Sequence, residues 1–168
     1  MNSMVIYATR YGNTGRIAEA IAEGLRPHGD VSLLPMDEVS AIPSNGIDLM
    51  VVGGPTEGHG MTDPVARFFD HLDINAMHGK AIVAFDTRFR WPRWLSGSAG
   101  AAITRRLRRM GAHVVAPPES FFVAGGINSP VTDEPLLEPG ETERATSWAA
   151  TLAAVVEKST PGALSGAS

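Results

Sequence analysis

The loop Thr9-Arg10-Tyr11-Gly12-Asn13-Thr14 has the composition of a phosphate-binding loop. It offers hydroxyl and amide side chains, and its glycine permits close approach to the backbone. A buried-type apolar segment precedes it and a helical pattern follows, so free backbone N–H groups at the positive end of a helix dipole are expected here. The loop has no lysine at the P-loop position and lacks G-x-G-x-x-G, which disfavours nucleoside triphosphates and NAD. A phosphomonoester fits better; alternatively, Asn13 or Thr14 is only an N-cap.

Two further loops follow apolar strand-like segments, at Gly53–Thr62 and Asp86–Ser98. In a doubly wound sheet, ligands bind beyond the carboxyl ends of the strands, so all three loops are expected to meet at one cleft. The third loop carries Arg88, Arg90 and Arg93, which could recognise an anionic ligand or an acidic partner protein. The alternative is that they are solvated charges lying over apolar surface.

Five apolar segments and four amphipathic segments must position these loops. Strands are predicted at 4–9, 31–34, 47–52, 79–85 and in a fifth stretch, 113–124, that Pro117-Pro118 interrupts; helices are predicted at about 17–25, 64–72, 98–110 and 141–157, with Asp63 as the N-cap of the second. Uninterrupted apolar strands alternating with helices predict an α/β domain with a parallel sheet covered on both faces.

Composition narrows the functional classes. The 168 residues fit one domain, expected at 1–158, with a flexible Ser/Gly/Ala/Pro tail at 159–168. The net charge of −4 argues against a general nucleic-acid binder. The absence of cysteine excludes disulfides and thiolate chemistry, and no metal-ligand spacing relates the histidines. Neither a membrane-spanning run nor a signal-peptide pattern is present, so a cytoplasmic protein is expected.

The segment Val5–Thr14, followed by Ile17, Ala18 and Ile21, resembles the signature of the flavodoxin-like family, and Gly53-Gly54-Pro55-Thr56 resembles that family's second flavin loop. The resemblance extends over nearly the whole chain. It implies a five-stranded doubly wound sheet of order 2-1-3-4-5 that binds FMN non-covalently.

The resemblance also implies roles for particular residues. The first loop would bind the FMN phosphate, and the second would border the isoalloxazine or the ribityl chain, with Gly58 or Gly60 able to turn its peptide. His59 between them could hydrogen-bond or protonate the flavin, or be simply exposed. The candidate cofactor-binding residues are Thr9, Arg10, Tyr11, Gly12, Asn13, Thr14, Pro55, Thr56, Glu57, Gly58, His59, Gly60, Asp86, Thr87, Arg88, Phe89, Trp91 and Trp94. Of these, Asp86, Thr87 and Arg88 would approach the pyrimidine edge of the ring, and Phe89, Trp91 or Trp94 would stack on it.

The sequence favours an electron carrier between redox partner proteins over a stand-alone oxidoreductase. Two alternatives stay open: an FMN-dependent reductase of a quinone or another small molecule, and an interaction module that has lost FMN. Because the third loop is rich in arginine, a less negative flavin potential is expected than an acidic loop would give.

Overall fold

The computed structural model describes residues 1–57, 60–73, 75–125 and 136–159, with Arg93 described by its backbone alone. The strands are β1 (Ser3–Tyr7), β2 (Val31–Pro35), β3 (Leu49–Glu57), β4 (Gly60–Met61), β5 (Ala81–Phe89), β6 (His113–Val114) and β7 (Glu119–Val123). The α-helices are α1 (Asn13–Leu25), α2 (Asp63–His71), α3 (Arg93–Ser96), α4 (Ala99–Arg109) and α5 (Glu141–Ser159). Short 3₁₀ turns lie at Arg26–His28 and Met36–Glu38.

The sheet is parallel and doubly wound, with the order β2-β1-β3-β5-β6. The fifth position holds two short strands, because β6 pairs with the start of β5 and β7 pairs with its end. Pro117-Pro118 separates them, as predicted, since proline has no N–H to donate to the ladder. The predicted fold class and strand order are confirmed; β4 adds a small antiparallel pairing with β3 that the sequence did not predict.

The central strands are buried on both faces by alternating side chains. Val5, Val51 and Phe85 belong to the cluster under α1 and α5. Ile6 and Val52 belong to the cluster under α2 and α4. This arrangement explains why the strands read as continuous apolar runs rather than as alternating ones. Among the described residues, no helix has the length and apolarity that crossing a bilayer requires.

Two strands extend beyond their predicted ends. Residues that were expected in loops therefore belong to strands, and their side chains alternate between the two faces of the sheet. The predicted strands 47–52 and 79–85 continue to Glu57 and Phe89, with Gly53 paired to Phe85 and Pro55 to Thr87. The glycines and polar residues concealed this continuation. A Cβ on Gly53 would lie only 2.1 Å from the ring of Phe85, so the close packing requires glycine there.

The helix starts also differ from prediction. Asp63 is the first residue of α2 and not its N-cap; Thr62 holds that position without a side-chain hydrogen bond. The short α3 lies within the segment predicted to be a loop. Ser159, the first residue of the predicted tail, is instead the last residue of α5, and the rest of that tail, 160–168, lies outside the described residues.

Candidate functional site

A cleft lies at the carboxyl edge of the sheet, where the predicted loops meet. Three neighbouring strands end there, so side chains far apart in sequence face one space. The lining residues are Arg10, Tyr11, Asn13, Thr14, Pro55, Thr56, Glu57, Thr87, Arg88, Phe89 and Val123.

The first loop presents the N-terminus of α1 to this cleft. Gly12 is the N-cap and has a φ of 81°, a left-handed conformation that suits glycine. Asn13 and Thr14 are already helical, so the interpretation of either as a side-chain N-cap is wrong. The first turn of α1 contains no acidic residue. Its positive end is therefore left for an anion.

Two buried threonine hydroxyls meet beside this helix end. Oγ1 of Thr14 and Oγ1 of Thr87 are 2.7 Å apart, and the side chains are 1% and 3% exposed. One hydroxyl donates to the other, so the accepting hydroxyl still has its own proton to donate. The pair can therefore donate one hydrogen bond to an acceptor in the cleft, polarised by the first bond.

An ion pair joins the first and second predicted loops. Nη1 of Arg10 lies 2.8 Å from Oε2 of Glu57, and its guanidinium lies 5.1 Å from the ring centroid of Tyr11. The hydrogen bond with Glu57, and then that residue's charge, raise the pKa of Arg10. All three residues line the cleft, and Tyr11 and Arg10 are well exposed. The cleft thus opens to solvent beside a charged pair.

Asp86 does not lie in the cleft, contrary to the prediction that it approaches a ring edge. It is fully buried, on the opposite face of β5 from Thr87. Its Oδ2 accepts hydrogen bonds from Oγ1 of Thr56 (3.1 Å), Oγ of Ser98 (2.6 Å) and the amide of Gly100 (2.8 Å). The Thr56 hydroxyl also accepts from the amide of Ala99 at 2.8 Å. Asp86 therefore positions the cleft residue Thr56 against the start of α4.

The three candidate aromatic residues of the third loop lie in different environments. Phe89 lines the cleft, and Trp91 stacks on it with ring centroids 5.9 Å apart and an interplanar angle of 30°. Trp94 is 84% exposed and does not line the cleft. Phe89 is therefore the aromatic residue best placed against a ligand, with Trp91 supporting it.

The two third-loop arginines whose side chains are described, Arg88 and Arg90, each have partners within the protein. Arg88 is buried, and its Nη1 donates to the carbonyl of Trp91 at 2.8 Å and to Oγ of Ser96 at 3.2 Å. Arg90 pairs with Glu138 at 2.6 Å and lies 3.9 Å from the ring centroid of Phe122. Glu138 offsets the charge of Arg90, which removes part of the basis for a less negative flavin potential.

Two other predicted site residues, Thr9 and Gly60, are described and do not line the cleft. Thr9 borders a neighbouring groove beside α2, and Gly60 pairs with Glu57 in the β4 hairpin. Gly58 and His59 lie outside the described residues. One lining residue, Val123, was missed because the interrupted fifth strand gave no signal of where its last residue would face.

The fold and the cleft define a doubly wound α/β domain with a ligand cleft at the carboxyl edge of its sheet. The Flavodoxin family model matches residues 5–88, half of the chain. The chain therefore belongs to the flavodoxin family, whose cofactor is FMN.

Relatives agree with this assignment. A flavodoxin from Aquifex aeolicus (strain VF5) is 36% identical over 93 residues, 52% of this chain and 50% of that protein, so the matched segment spans about half the length of that relative. An archaeal flavodoxin structure has a TM-score of 0.73 at 22% identity, covering 94% of this chain and 99% of that one. Flavodoxin 1 from Bacillus cereus has a TM-score of 0.70 at 20% identity, covering 95% and 99%. At these identities the structural matches support the fold alone.

Proposed function

We propose that this protein carries electrons between redox partner proteins through FMN bound in the cleft at the carboxyl edge of its sheet. The observation that carries the proposal is the N-terminus of α1, which faces the cleft beside the hydroxyls of Thr14 and Thr87. When bound, FMN supplies the redox chemistry, and the protein supplies binding, orientation and access.

The donor set fits a phosphate monoester. Backbone N–H groups at the start of α1, a hydroxyl from the Thr14–Thr87 pair and the Arg10 guanidinium all donate hydrogen bonds, and phosphate only accepts them. A Cβ on Gly12 would meet no atom within 4 Å, so the space beside the loop is open.

The other end of the cleft fits a flat, partly apolar ring. Pro55 and Phe89 supply apolar walls, and Trp91 backs Phe89. Thr56 is held in place by Asp86 and by the amide of Ala99, so this wall is rigid before any ligand arrives. Such preorganisation favours ligand binding because less conformational entropy is lost.

The cleft is open to solvent beside Arg10 and Glu57, and this favours the role of an electron carrier. A ligand in this cleft would have an edge near solvent, where a docked protein can exchange electrons with it. The FMN-loaded protein should keep its oxidised flavin absorption when NADPH alone is added without oxygen, and lose it with dithionite. Steady NADPH oxidation by the protein alone would instead favour the reductase alternative.

Thr14→Ala is expected to weaken FMN binding by about 1.5–3 kcal/mol, about ten- to hundredfold, because a hydrogen bond to a charged phosphate is lost. Fluorescence titration of FMN measures this change. Thr14→Ser keeps the hydroxyl and should restore most of the affinity, and the distant α5 variant Thr151→Ala should bind like the parent protein. Equal affinity of Thr14→Ala and the parent would remove Thr14 from the site.

Glu57→Gln is expected to strengthen FMN binding by about two- to fivefold, because it releases Arg10 and removes a negative charge beside the phosphate. The gain should shrink as salt is raised, since both side chains are partly exposed. Glu23→Gln breaks the Arg26 pair elsewhere on the surface and serves as the matched control. Weaker binding by Glu57→Gln would show that the ion pair supports the site rather than competing with the ligand.

A further inference from the structure

The second half of α4 carries a concentrated positive charge, at Arg105, Arg106, Arg108 and Arg109. Arg106 pairs with Asp70 at 2.7 Å. The other three are exposed and make no ion pair within the described part of the chain. The whole chain has a net charge of −4, so this cluster is a local reversal of sign.

Two of these arginines border a groove between α4 and the edge of the sheet. One wall is formed by α4 and carries Arg105 and Arg108. The opposite wall is the largely apolar segment 114–118, which joins β6 to β7 and contains Pro117-Pro118. None of the described residues that line the groove is acidic. Its positive charge is therefore uncompensated from within.

These arginines repel one another along α4, and the helix dipole offsets that repulsion only in part. Like charges three and four residues apart on a helix repel one another. The helix dipole favours cations in the last turn, which accounts for Arg108 and Arg109. Arg105 lies before that turn and lines the groove, and it makes no ion pair within the described part of the chain.

We propose that this groove binds an extended, acidic segment of a partner protein in which acidic and apolar side chains alternate. Successive side chains of an extended segment point to opposite sides. Acidic residues would therefore meet Arg105 and Arg108, while the residues between them would pack on the apolar wall. Pro117-Pro118 offers no N–H groups, so side-chain contacts rather than strand addition hold the segment.

The groove is separate from the proposed FMN cleft. The start of α4 is fixed beside the cleft by the bonds of Ala99 to Thr56 and of Gly100 to Asp86. From there the helix rises about 1.5 Å per residue, which places Arg105 and Arg108 roughly 9–14 Å further along its axis. Binding here holds a partner without covering the cleft, and it does not depend on FMN.

A peptide fits this surface better than a nucleic acid or an anionic membrane does. Those two ligands gain affinity from many cations spread over a broad face. Here two arginines line a groove that is otherwise largely apolar, in a chain of net negative charge. The groove therefore favours a ligand that places an apolar side chain beside an acidic one, as an extended peptide of alternating acidic and apolar residues does.

The test uses a fluorescein-labelled decapeptide of alternating glutamate and leucine, titrated by fluorescence anisotropy at physiological salt with and without FMN. Arg105→Glu combined with Arg108→Glu should weaken binding at least tenfold, and the corresponding double glutamine variant at least threefold. The matched control is Arg109→Glu with Arg67→Glu, which makes the same charge change on α4 and α2 outside the groove and should weaken binding less than twofold. Circular dichroism confirms that each variant is folded.

Three results would overturn the proposal. Equal loss in the groove and control variants would show a general charge effect. Equal affinity for a decapeptide of alternating glutamate and serine would show that the apolar wall does not take part. Tighter binding to a single-stranded 20-mer DNA or to vesicles with phosphatidylglycerol would assign the surface to a nucleic acid or a membrane. Unchanged peptide binding in a protein that fails to bind FMN would leave this inference standing while the proposed function falls.

Discussion

We expect Asp86→Ala to lower the free energy of unfolding by about 3–5 kcal/mol, because each buried donor left without an acceptor costs about 1–3 kcal/mol. Three donors lose their acceptor together: the hydroxyls of Thr56 and Ser98 and the amide of Gly100. The loss also frees Thr56 to leave the cleft wall, so FMN binding should weaken in the protein that remains folded. Urea denaturation and FMN titration measure the two effects.

Two controls separate this network from a simple loss of charge. Asp86→Asn keeps an acceptor oxygen of the same size and should cost less than half as much as the alanine variant. Asp30→Ala removes an exposed carboxyl group and should change stability by no more than about 0.5 kcal/mol. A stability of Asp86→Ala within that range would show that Asp86 does not hold the second loop to α4.

Gly24→Ala is the second substitution with a large expected effect. Helix propensity predicts that it raises the free energy of unfolding, whereas packing predicts that it lowers it. Alanine is favoured over glycine inside a helix by up to about 1 kcal/mol. At this site, however, a Cβ would lie 2.3 Å from the backbone oxygen of Thr146 and 2.8 Å from the Cβ of Ala149. Because backbone cannot give way as a side-chain tip can, α1 and α5 must separate. Overpacking of this kind costs about 1–3 kcal/mol or more, so a net loss of about 2 kcal/mol is expected.

The measurement is the midpoint of urea denaturation at constant slope. Gly60→Ala provides the comparison, because a Cβ there meets no atom within 4 Å and should leave stability nearly unchanged. A Gly24→Ala protein as stable as the parent or more stable would mean that the two helices pack less closely than the structure shows.

The sheet and its first loop could be predicted because their signals are local. The apolar run before Thr9 and the turn at Gly12 mark a buried strand that enters a helix. The ends of the strands that contain Gly53 and Asp86 could not be predicted, since neither residue is typical of a strand. Period-two alternation through Ile82 and Ala84 would have placed Asp86 on the α4 face, once β5 was known to continue.

Two arginine pairings, Arg90 with Glu138 and Arg144 with Glu119, could not be predicted, because the partners are distant in sequence. Arg90 pairs with Glu138 across 48 positions, and Arg144 of α5 contacts Glu119 across 25 positions, in addition to its helix neighbour Glu141. In Arg144, burial lowers the pKa, but the hydrogen bonds and charges of the two glutamates outweigh it and raise the pKa. Such pairs depend on how α5 and β7 meet, and no spacing within the third loop encodes that contact.

Calorimetric titration with FMN and with riboflavin tests the central claim most directly, because the two ligands differ only in the phosphate. One FMN should bind per chain, and riboflavin should bind about a hundredfold more weakly, since it loses at least two charge-assisted hydrogen bonds at the start of α1. Backbone amide NMR signals of Gly12, Asn13 and Thr14 should shift with FMN and not with riboflavin. Absence of FMN binding, or equal affinity for both ligands, would contradict the account.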